Sequence, residues 1–236
     1  MKSIIMLFPF IISLIGLFFL LVNSICFWLK RKSKDVLYNI ITIYLILLFI
    51  EELCCNIIGF LNPGANFFLS HYYFVFQFIV LSVFFYNIFS SVVLKRIVLF
   101  FLAVVLILLS VQYYITPGLY WRFNMFEIGV ISTLLIFYSL VFLIQNFKKV
   151  KHDYFYFCNG LILYLASSAS IFLSGNSDSV LFTEPFILDF WFFNSLFYIL
   201  YQFLIFKEWR ALNAKRKMEE TELVDSLSYF EKKEEV

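Results

Sequence analysis

The sequence predicts an all-α, polytopic membrane protein, a seven-helix transmembrane bundle, and three observations carry that prediction. Of its 236 residues 63% are hydrophobic and 14% charged, whereas a soluble domain needs about a quarter of its residues charged. The apolar residues come in long continuous runs, and in lipid a helix satisfies every backbone group within its own segment. Lysine and arginine collect in alternate gaps between these runs, as loops on the cytoplasmic side of a membrane do.

The first run, Ile4 to Leu29, is too long for the core of a cleaved signal peptide and is followed by Lys30-Arg31-Lys32-Ser33-Lys34. It reads as an uncleaved span with its N-terminus outside. The second, Val36 to Leu61, ends at the turn signal Asn62-Pro63-Gly64. The third, His71 to Leu94, is closed by Lys95-Arg96, and the fourth, Ile97 to Ile115, by Thr116-Pro117-Gly118. Phe123 to Phe147 is the fifth, with Lys148, Lys149 and Lys151 behind it. Tyr154 to Ser174 is the sixth, and a polar loop leads to the seventh, which opens on Pro185, a residue suited to a first helical turn, and ends at Phe206. This alternation leaves only Lys2 and Arg122 of the 18 basic residues outside, with Pro63, Pro117 and Pro185 on that same face. Residues 1–206 therefore form the bundle and 207–236 a charged cytoplasmic tail expected to be helical.

Several function classes lose support at this stage. The basic residues are scattered through short loops that border lipid, which argues against nucleic-acid binding. Cys26, Cys54, Cys55 and Cys158 lie inside apolar runs with no CxxC spacing, and read as small buried hydrophobes. No motif calls for a metal or another cofactor, and no lysine lies in the seventh span to hold a retinal-like group. Tyr72, Tyr73, Tyr113, Tyr114, Tyr120 and Trp121 read as an aromatic belt at the outer boundary.

The informative residues are the charges inside the spans, each costing about 2.5 to 3.5 kcal/mol near the bilayer centre. They are all acids: Glu51 and Glu52 in span two, Glu127 in span five and Asp189 in span seven. His71, Asn56 and Gln77 share their outer half of the membrane. Glu52 and Asn56, four apart, lie on one helix face, while Glu51 points about 100° away. Asn194, Tyr198, Tyr201 and Gln202 share a face of span seven, and Ala166, Ser170 and Ser174 have the spacing of a close helix approach. His71, at a helix start, reads as a water-facing residue. Glu52, Glu51, Asn56, His71, Gln77, Glu127, Asp189 and Asn194 are thus the candidates for an outward-facing pocket that takes a cation, a proton or a small amine.

In the tail, Lys207, Arg210, Lys215, Arg216 and Lys217 suit anionic lipid headgroups, at about 1 kcal/mol each. Beyond them Leu223, Leu227 and Phe230 give an acidic stretch a narrow apolar stripe, which reads as a solvated helical continuation of the last span, with a docking face for a protein partner or a self-associating coil as the alternatives.

Two resemblances follow from these residues. Glu51-Glu52 with Phe67-Phe68-Leu69-Ser70-His71 resembles, in fragments, the EExxxR and FxxxH motifs of CAAX-protease membrane enzymes, although Asn56 stands where that family has arginine. Seven spans with a charged extension from Lys207 resemble the seven-helix sensory input modules of bacterial signalling proteins. That second resemblance implies a sensor in the cytoplasmic membrane that reports to a separate cytoplasmic partner, and not an enzyme. A small transporter, or an accessory subunit of one, is the alternative expectation.

Overall fold

The computed structural model describes the backbone of residues 2–31, 35–62, 66–147, 153–174 and 184–234, with side chains placed for all of these but 2–10, 172–174, 184–192, 219–220 and 222–234. Among the described residues it is wholly helical: α1 (Lys2–Leu29), α2 (Val36–Leu61), α3 (Leu69–Ile88), α4 (Val92–Ile115), a short 3-10 helix (Pro117–Trp121), α5 (Met125–Asn146), α6 (Phe155–Ser174) and α7 (Glu184–Glu234). Five helices, α1 to α5, are long and apolar enough to cross a membrane, and the apolar part of α6, Phe155–Ile171, is shorter. The chain is a helical membrane protein.

Helix starts follow local chemistry. Asp35 caps α2 by accepting from the Leu37 amide at 2.9 Å, and Asn124 caps α5 by accepting from Phe126 and Glu127. The turn between α3 and α4 lies earlier than the basic pair suggests. Helix α3 stops at Ile88, and Lys95 and Arg96 sit in the first turns of α4. Asn87 ties its side chain back to the Val83 carbonyl at 2.7 Å, and Phe89 and Ser91 are extended. A charge need not end the helix, because Lys95 lays its ammonium over the Tyr86 ring, 5.3 Å from its centroid.

The packing order is a closed ring. Helix α1 packs on α2, α2 on α3, α3 on α5, α5 on α6, α6 on α7 and α7 on α1. Helix α4 lies outside the ring against α3, burying the stripe Val98, Val105 and Leu109, with Leu102 and Tyr113 packed beside it. Close approach of α6 to α7 occurs at Gly160, where an added Cβ would stand 2.8 Å from the Tyr201 ring. The small residues Ala166 and Ser170 are exposed instead, with Ser170 bonded back to the Ala166 carbonyl, so that predicted stripe does not form the helix contact.

Helix α7 runs without a break past Phe206. Its residue Glu208 is buried and accepts from the backbone amides of Tyr154, Tyr156 and Phe157 at 2.5, 2.8 and 3.2 Å. These are orphan donors at the start of α6, whose dipole also favours an anion there. Further along α7, Trp209 donates to the Cys26 carbonyl at 3.0 Å, and Arg216 lies 5.2 Å over the Tyr38 ring and donates to the Lys30 carbonyl. The predicted division at residue 206 is therefore not a structural break.

Candidate functional site

Polar side chains gather in two places within the bundle. The first is the ring interior, where α2, α3, α6 and α7 each contribute a tyrosine. Gln77 of α3 donates through Nε2 to Tyr44 Oη at 3.0 Å and to Tyr73 Oη at 3.4 Å. Tyr73 donates to Tyr164 Oη at 3.2 Å, and Tyr201 donates to Tyr44 Oη at 3.2 Å. The Tyr164 and Tyr201 rings stack with centroids 5.4 Å apart. Beside them Asn23 of α1 donates to the backbone and side-chain oxygens of Gln202 at 2.8 and 2.9 Å. Hydroxyl-to-hydroxyl bonding lets these groups enter an apolar interior without leaving most of their polar atoms bare.

Glu52 faces this network, close enough to Tyr44, Tyr73, Tyr164 and Tyr198 to interact electrostatically with all four. Glu51, offset round the helix from Glu52, meets the same network at its edge between α2 and α3. It accepts from the Cys55 thiol at 3.5 Å and lines a crevice between α2 and α3 with Tyr44, Leu47, Tyr73, Phe76 and Gln77. That crevice measures about 20 Å³, room for about one water molecule. Asn56 spends its amide on the Glu52 backbone carbonyl at 2.8 Å, not on the carboxylate. Asn194 is half-buried, its Oδ1 without a partner among the described residues, and Asp189 has a side chain outside them.

The second gathering lies at the opposite end of the bundle from Glu208. His71 of α3 is 5% exposed and Glu127 of α5 is fully buried, their Nδ1 and Oε2 atoms 2.9 Å apart. His71 is therefore a buried partner and not the water-facing residue its place at a helix start suggests. Tyr113 of α4 reaches both, 2.7 Å from His71 Nδ1 and in a short hydrogen bond to Glu127 Oε2. Asn124 donates to Tyr113 Oη at 3.1 Å and to Gln112 Oε1 at 2.9 Å. His71 Nε2 lies 3.2 Å from the Tyr120 carbonyl, and the Tyr120 ring stacks on the imidazole. A carbonyl only accepts, so Nε2 carries a proton.

No family model, curated protein or solved structure matches this chain. Chemistry must therefore be read from the two clusters themselves. The CAAX-protease fragment separates: His71 bonds to Glu127, Tyr113 and Tyr120, and among the described residues no three His, Cys, Asp or Glu side chains come together as metal ligands.

The candidates thus divide into Glu52 and Gln77 with the ring interior, Glu51 at the crevice on its edge, Asn56 near the end of α2, Asn194 half-buried on α7, and His71 with Glu127 at the second cluster. Sequence reasoning missed Gln112, Asn124 and Asn23, and read Tyr113 only as part of an aromatic belt. Tyr113 carried a usable signal, because it continues the α4 stripe Val98, Leu102, Val105, Leu109 at helical spacing and so points at the ring.

Proposed function

We propose that the chain is a membrane sensor or receptor-like module with seven spans, its Glu127 end outward and its charged C-terminal segment in the cytoplasm, reporting to a separate protein partner. One observation carries the reading: α7 is a single 51-residue helix. Tyr198, Tyr201 and Gln202 place it in the polar interior, and the same rod passes Glu208 and continues to Glu234. A change of packing around the tyrosines has a direct mechanical route out of the membrane. The basic residues at the Glu208 end support that end as cytoplasmic. The size of the crevice favours a proton or a small cation over an amine as the stimulus.

The test is co-purification of the full chain from native membranes, with partners identified by mass spectrometry, beside a chain ending at Lys217. That truncation keeps Glu208, Trp209 and Arg216, which pack on the bundle. A kinase or regulator that is lost with residues 218–236 is the expected result. A larger permease held by both forms would overturn the reading in favour of an accessory transport subunit.

A further inference from the structure

The cluster of His71, Tyr113 and Glu127 joins three helices, one of which, α4, stands outside the ring. Among the described residues, the side-chain hydrogen bonds between α4 and its neighbours involve Gln112 and Tyr113, both at this cluster. The remaining contacts of α4 with the ring are an apolar stripe, in a setting where lipid tails compete on equal terms, and, at its far end, Lys95 over the Tyr86 ring. The polar end therefore decides how firmly that end of α4 and the 3-10 helix are held.

Counting protons shows what the cluster demands. His71 Nε2–H is committed to the Tyr120 carbonyl, and the single Tyr113 proton serves one acceptor at a time. Between His71 Nδ1 and Glu127 Oε2, 2.9 Å apart, one further proton is required, whether it sits on nitrogen or oxygen. With that proton the buried pair is neutral overall. Without it a nitrogen lone pair faces a carboxylate oxygen and an uncompensated negative charge is left on a group with no exposure. Among the described residues, the titratable groups facing the pair are Tyr113 from α4 and Tyr120 from the 3-10 helix; Tyr120 Oη in turn meets the exposed Tyr72 Oη at 2.9 Å, which leads to the surface.

We propose that His71, Tyr113 and Glu127 form a proton-binding clasp, which holds α4 and the 3-10 helix on the six-helix ring while one proton is shared between His71 and Glu127. On alkalinisation that proton leaves to water, the pair repels, and this corner of the bundle loosens. As a stimulus for the sensor the proton rests on the function proposed above, but the clasp rests on its own geometry.

The chain has two histidines, His71 and His152, so ¹⁵N-histidine NMR of the full chain in micelles resolves His71 once His152→Gln has assigned the other. Over a pH titration His71 is expected to keep its Nε2 proton and to lose its Nδ1 proton in one step. At that step, amide hydrogen exchange through residues 117–127 should rise after correction for its intrinsic pH dependence, and in Glu127→Gln the step should move in pH. A His71 step at the same pH in both proteins would overturn the clasp, and so would unchanged exchange across the wild-type step. The exchange readout across the wild-type step needs no variant at the cluster. If the step and the exchange rise are seen while partner output ignores pH, the clasp stands and the sensor reading fails.

Discussion

Glu208 shows how one side chain can organise a helix junction that lies far away in sequence. Three amides of the 154–157 segment converge on its carboxylate, and Tyr154 accommodates this with φ of 71°, a left-handed backbone that costs a non-glycine residue about 1–2 kcal/mol. Burial pushes the Glu208 carboxyl up to about 7, against the pull of these three donors. A folded-state value above the unfolded one means that the native protein binds the proton more tightly. Stability from this group is therefore present at low pH and declines as pH rises towards 7, by about 3 kcal/mol at most. Thermal unfolding in micelles at pH 6 and pH 8 should give a higher midpoint at pH 6, and Glu208→Gln should flatten the difference. An equal difference in the variant would remove this account. Nothing in the sequence marked Glu208, which reads as one acid among tail bases, because its role depends on α7 meeting the start of α6. His71 and Glu127 were both legible as candidates, yet their pairing was not, since 56 residues separate them and only the α3–α5 contact joins them.

Among the elements, α6 and α7 depend most visibly on a single absent side chain. A Cβ on Gly160 would meet Tyr201 Cδ2 at 2.8 Å and Leu204 Cβ at 3.2 Å. Gly160→Leu should force the two helices apart and disturb the Tyr164–Tyr201 stack, with a loss on the order of 1–3 kcal/mol or more, read as a lowered unfolding midpoint. Further down α7, Leu212→Pro removes a hydrogen bond in the helix interior, at about 3 kcal/mol. It should uncouple the C-terminal segment from the bundle while leaving the ring assembled, visible as retained thermal stability with lost partner binding. Helix existence was legible because hydropathy is a property of each segment taken alone. The α3–α4 boundary was not, because Lys95 can snorkel from a helical position, and the better signals were Asn87 and the pair Ser90-Ser91.

For the whole molecule, the order of helices around the ring is the part that composition hides. Lipid and protein interior are equally apolar, so a helix such as α3 does not announce which side faces its neighbours. The face Asn194, Tyr198, Tyr201 and Gln202 was readable because polar groups avoid lipid, and the structure places Tyr198, Tyr201 and Gln202 inside. Tyr44 is the hub of that interior, receiving from both Gln77 and Tyr201. Tyr44→Phe should keep the fold and lower the unfolding midpoint by the equivalent of about 1 kcal/mol. A loss several times larger would mean that the network carries the bundle and does more than line it.

Helix α7 is gripped by Tyr201 against Gly160, by Glu208 against the start of α6 and by Arg216 against Tyr38 and the Lys30 carbonyl, and beyond Arg216 it runs on to Glu234. At 1.5 Å per residue that overhang is about 27 Å, so pivoting by about 5° at Arg216 would swing its tip by about 2 Å. Repacking too small to open a cavity thus becomes a displacement that a bound protein can feel.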